Sequence, residues 1–189
     1  MQLSTRNFAP TAALLTLAAL SSAACPAPGQ APGDFIALAT DLDGYHSWQS
    51  YDAGNMVVDQ VHSDGFRTDY IACTQQPGFN CHLPRHGDTA FTEGIVIIKE
   101  VQMTDGGAPE IFAMAKRGGG FNDGGAVNWE WFDLVDAGPP GDNVTIVWRG
   151  DGPPQGSTYG ASHEACNECH SLSQANDFVA SPPLQLTNF

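Results

Sequence analysis

Cys166-Asn-Glu-Cys169-His170 constrains this chain more than any other stretch. C-x-x-C-H is the attachment signature of a c-type haem. The chemistry requires that spacing. Two thiols about one helical turn apart add across the two vinyl groups of one porphyrin, and the histidine that follows is held beneath the iron as proximal ligand. Two other chemistries use similar residues. A zinc site wants four ligands; a second C-x-x-C is missing, although His163, His170, Cys73 and the Cys81-His82 pair contain donor atoms. A redox dithiol of the thioredoxin kind opens a helix after an early strand, whereas this motif follows the strand-rich part of the chain.

Residues 1–25 read as an export leader: Arg6, an apolar run from Ala12 to Leu20, small residues from Ser21 to Ala24, then Cys25. The run is too short for a membrane span. Cys25 resembles the lipidated cysteine of bacterial lipoproteins, and residues 26–40 read as a Pro/Gly-rich tether. Plain cleavage near Ala24 is the competing reading. Either way the protein is expected outside the cytoplasm, periplasmic or anchored as a lipoprotein, in the compartment where c-type haem is attached. Residues 41–189 then make one domain.

Seven Lys and Arg stand against 21 Asp and Glu, a formal charge of −14. That balance argues against nucleic acid and against an anionic membrane surface. It suits docking to a basic redox partner protein, or a merely solvated acidic surface. With Cys166 and Cys169 assigned to haem and Cys25 to the leader boundary, Cys73 and Cys81 remain. In an oxidising compartment they read most simply as a disulfide closing a short loop. The alternative makes Cys81-His82 part of a degenerate haem site.

Strand signals fill the middle of the chain. Residues 56–62, 66–72, 94–103, 111–117, 127–135 and 144–148 are rich in β-branched and aromatic residues and are separated by Gly/Pro turns, the pattern of an antiparallel meander. A short helix is expected over Tyr45–Tyr51, another from Glu164 to His170 capped by Ser162, and a further short element over Asn176–Val179. In the clearest strand, alternation puts Ile95, Ile97, Lys99, Val101 and Met103 on one face and Val96, Ile98, Glu100 and Gln102 on the other. Lys99 therefore sits mid-strand on the more apolar face. A lysine there needs water at a sheet rim, a carboxylate, or a chemical partner.

Small electron-transfer cytochromes place C-x-x-C-H early and ligate iron with a later Met. Here no Met follows Met114; Met56, Met103 and Met114 all lie on expected strands, where core packing is their ordinary role. Five-coordinate iron with His170 proximal and an open distal face follows, which suits small-ligand binding or substrate chemistry.

The ordered set of Phe91–Glu100, Met114-Ala-Lys-Arg117, Asn128-Trp-Glu-Trp131, Cys166-x-x-Cys169-His170 and Asn176-Asp-Phe178 resembles the cytochrome P-460 family, which includes the β-sheet cytochromes c′, over roughly residues 45–180. The resemblance implies an α+β domain, mainly antiparallel sheet with a few short helices, usually a homodimer, around one covalent haem c. It implies a strand lysine joined to the porphyrin, at Lys99, and oxidation of hydroxylamine. It also implies a proton-moving carboxylate from the segment before the motif, with Glu164 and His163 as candidates. In the cytochrome c′-β branch it implies an aromatic-capped distal pocket that binds nitric oxide, with Phe66, Tyr70, Phe79 and Phe91 as candidate caps. Lys116 and Arg117 are candidates to neutralise the haem propionates, or else form a solvated strand end.

Overall fold

A computed structural model of the protein describes residues 33–56, 65–156 and 163–189. The leader, Cys25, most of the tether, Ser162 and all but the first residue of the expected strand 56–62 lie outside these residues.

The sheet is a six-stranded antiparallel meander in which every strand pairs with its chain neighbour. Its strands are β1 (Gln49–Met56), β2 (Gly65–Cys73), β3 (Ile95–Met103), β4 (Glu110–Lys116), β5 (Trp129–Asp136) and β6 (Val144–Gly150). Among the described residues one short α-helix, α1 (Ala165–His170), carries the C-x-x-C-H motif and runs into a 3-10 segment over Ser171–Asn176. The strands form where the sequence is β-branched or aromatic, and β3 is the extreme case: Ile-Val-Ile-Ile, with no proline. Among the described residues no helix is long and apolar enough to cross a membrane.

β3 is buried on both faces because the chain covers the sheet twice. On one face Phe35, Ala37, Leu42 and Tyr45 pack against Val96, Ile98, Ala113, Phe132 and Leu134. On the other, Phe178, Val179, Leu184 and Leu186 pack against Ile71, Ile95, Ile97, Met114, Trp129 and Trp131. We call the second the motif face. Each fully buried Ile or Leu contributes about 1.5–3 kcal/mol, so these two layers are the main source of stability.

Three local expectations are corrected. Only Tyr45–Ser47 is helical, as one 3-10 turn; Trp48 is already extended and β1 begins at Gln49. The ladder to β2, with Gln49 opposite Ile71 and Tyr51 opposite Asp69, outweighs a weak helical propensity. The tether is also shorter than its composition implies, since Phe35 and Ala37 are fully buried in the core. In the C-terminal segment the expected element over Asn176–Val179 is a turn, with Asp177 and Phe178 both left-handed at φ 51° and 66°.

Candidate haem site

β-sheet register decides what faces the motif. Tyr51 lies opposite Asp69, Asp69 opposite Lys99, Lys99 opposite Phe112, Phe112 opposite Asp133, and Asp133 opposite Trp148. Directly opposed residues share a face, so these six form one row across the whole sheet. The row beside it is Ile71, Ile97, Met114 and Trp131, and the row beyond, toward the rim, includes Arg67 and Val101. This is the motif face. The Trp131 ring lies 4.5 Å from the His170 ring.

The motif is bolted down from its interior. Asn167, the first residue between the two cysteines, is buried. Its Oδ1 accepts Trp131 Nε1–H at 3.1 Å, Ala126 N–H at 3.1 Å and Asn122 Nδ2–H at 2.8 Å. Its amide donates to the Asp151 carbonyl at 2.9 Å. Gly125 makes room for it, because a Cβ there would stand 2.3 Å from Asn167 Cγ.

Cys166 and Cys169 are free thiols, Cys166 partly buried and Cys169 exposed. Burial pushes the Cys166 thiol up to about 11, against the Lys99 charge, which pulls it down. His170 is pushed down to about 4, chiefly by burial; its bond to the Phe178 carbonyl opposes this, while the Lys99 and Arg67 charges add to it. That Nδ1 to carbonyl contact is 2.7 Å. Since a carbonyl only accepts, Nδ1 carries the proton and Nε2 presents its lone pair.

Charges on this face are held in place. Asp69 is fully buried and accepts Arg67 Nε–H at 2.7 Å and Ser181 Oγ–H at 2.5 Å. The Lys99 ammonium stands 5.1 Å from the centroid of the Phe112 ring. Asp133 is buried one strand further along the row. The Trp148 indole N–H, at the end of the row, is buried and has no hydrogen-bond partner among the described residues.

These residues fit a c-type haem. Two free thiols stand at the required spacing, the histidine tautomer leaves Nε2 as ligand atom, and Ile71, Ile97, Met114 and Trp131 give an apolar strip on a face that also holds the orphaned Trp148 donor. The zinc alternative loses two ligands, because Cys73 and Cys81 are joined in a disulfide with Cα atoms 5.6 Å apart.

Other expected residues are exposed, packed in the core or held in ion pairs. Glu164 and His163 are exposed; His163 meets the Pro153 carbonyl at 3.0 Å and Asp151 at 3.1 Å. Of the candidate caps, Tyr70 and Phe79 pack on the opposite face, Phe66 is 62% exposed, and Phe91 packs against Trp129 deep in the core. Met114 is buried between Ile97 and Trp131. Lys116 pairs with Asp177, and Arg117 with Asp34 and Glu130, so neither is a solvated strand end. Phe112 and Asp133 were missed; the signal was their place in the row through Lys99, which needs two registers to read.

No family model matches the chain, and neither a curated protein nor a solved structure matches it.

Proposed function

We propose that the chain is an exported mono-haem c-type cytochrome of the P-460 kind that oxidises hydroxylamine or a closely related small nitrogen species. The reading rests above all on one relationship: a mid-strand lysine, Lys99, lies on the sheet face that the C-x-x-C-H segment packs against, one row from Trp131, whose ring is 4.5 Å from that of His170. Cys166 and Cys169 would hold haem c, His170 would ligate iron through Nε2, and Lys99 is the candidate for attachment to the porphyrin. When bound, the haem supplies a redox-active iron with an open coordination position. Asp133, buried in the row that contains Lys99, would hold and move protons, with the exposed Glu164 and His163 as the alternative. Phe112 excludes water beside Lys99, and Asp69 fixes Arg67 at the rim.

A second reading is favoured by Phe112, an aromatic side chain next to the lysine. It is a non-catalytic cytochrome of the c′-β kind that binds nitric oxide or carries electrons. In both readings the partners are a small nitrogen ligand or substrate and a redox protein, with a second copy of the chain in a homodimer.

The deciding experiment is an oxidised and dithionite-reduced absorption spectrum of protein exported with haem-maturation machinery, with peptide mass spectrometry on the same sample. A broadened, red-shifted ferrous band with haem on the Lys99 peptide supports the catalytic reading. An ordinary five-coordinate c-type spectrum with Lys99 unmodified moves the assignment to the c′-β kind. Colourless protein sinks both.

A further inference from the structure

We propose that Lys116 and Asp177 are positioning residues for the proximal histidine: their buried ion pair fixes the turn whose carbonyl accepts the His170 Nδ1–H. The inference rests on the haem reading above and concerns residues to which that reading gives no task.

The Lys116 ammonium lies 2.6 and 2.7 Å from the two Asp177 oxygens. Both side chains are almost out of water, 6% and 11% exposed. The pair is one part of a larger clamp. Asp177 Oδ2 also accepts the Phe91 N–H at 2.9 Å, and the Asp177 carbonyl accepts Trp129 Nε1–H at 2.7 Å. The ammonium stands 4.9 Å from the Trp129 ring centroid. Three parts of the sheet layer therefore grip one residue: β4 through Lys116, β5 through Trp129, and the loop before β3 through Phe91.

The grip is needed because of the backbone beyond it. Asp177 and Phe178 are consecutive left-handed residues, φ 51° and 66°. Asp tolerates that region and Phe rarely adopts it. Such a conformation persists only where its surroundings over-determine it. Its product is the direction of the Phe178 carbonyl, 2.7 Å from His170 Nδ1. A rigid acceptor at Nδ1 raises the basicity of Nε2, and a hydrogen bond of this kind to a ligand's other ring nitrogen tunes a bound metal. A pair that served only as glue would change stability and leave the ligand's electronics alone.

The test uses the haem-loaded protein and variants D177N, K116R and the neutral pair K116M/D177N. The readouts are the one-electron reduction potential and the ferrous iron–histidine stretch by resonance Raman. D177N keeps an acceptor oxygen for the Phe91 N–H and a residue type that tolerates the left-handed turn, so the fold is retained; K116M/D177N avoids leaving a lone buried charge. In both, reduction is expected to become easier by about tenfold, about 59 mV for a one-electron couple, with a lower iron–histidine frequency. K116R is expected to keep the wild-type values. Unchanged potential and frequency in folded, haem-loaded D177N and K116M/D177N overturn the positioning role while leaving the haem reading intact. Wild-type protein that takes up no covalent haem overturns the haem reading, and this inference falls with it.

Discussion

The indole N–H of Trp131 donates to Oδ1 of Asn167 at 3.1 Å, so a residue inside the haem motif is bonded to the strand beneath it. The same oxygen serves Ala126 and Asn122. N167A strands these donors in a buried place, a cost of about 2–4 kcal/mol. A lower urea midpoint and a lower yield of covalent haem are expected. A midpoint equal to wild type would show that the motif is held by something else.

Asp133 and Glu164 compete for one role. In the catalytic reading D133N lowers hydroxylamine-dependent electron release by about 10²-fold and leaves haem stoichiometry unchanged, whereas E164Q leaves the rate alone. Steady-state assays on both variants decide it. The reverse pattern returns the role to the segment before the motif.

Glu100 lies on the face away from the motif, where Tyr45 Oη–H, His46 Nε2 and Gln102 Nε2–H reach it at 2.5, 2.7 and 2.6 Å. Burial alone would raise its carboxyl, but these bonds outweigh burial and hold it below the ordinary value of 4.5. A carboxyl lowered by folding stabilises above its unfolded value, and that stability is lost as pH falls through its folded value. E100Q should therefore be less stable at pH 7 and show a flatter loss of stability below about pH 4.5. Denaturant midpoints from pH 7 to 3 measure this. Parallel curves for E100Q and wild type would place the acid sensitivity in other groups.

The Cys73–Cys81 bridge closes a loop with a sequence separation of 8. For so short a loop the expected contribution is about 2–3 kcal/mol. The double serine variant, compared with wild type by chemical denaturation with and without reductant, checks it. Reductant should shift wild type toward the variant and leave the variant unmoved.

Lys99 was legible in the sequence and Asp133 was not. β3 is a long β-branched run, so alternation alone put Lys99 among apolar neighbours, and the structure keeps that assignment. Asp133 sits in Trp-Glu-Trp-Phe-Asp-Leu, where aromatic residues occupy both faces and polarity does not alternate. Its link to Lys99 passes through Phe112 and two registers, each set by a connection whose geometry composition does not specify. The meander itself was readable from the spacing of strand and turn. The burial of Phe35 was hidden by its Pro/Gly-rich surroundings, and the Tyr45–Tyr51 helix failed because pairing with β2 is a non-local effect.

Because each strand pairs with the one before it, the sheet is built from short-range closures, the kind that form early and fast. Cys166, Cys169 and His170 follow all six strands along the chain. A chain that folds in that order has its pocket floor, Lys99 and Asp133 included, in place before the segment over it docks. On the haem reading, attachment would then resemble fitting a lid to a finished vessel: the thiols would be reached while that segment is loose, and Asn167 and Asp177 would latch it shut afterwards.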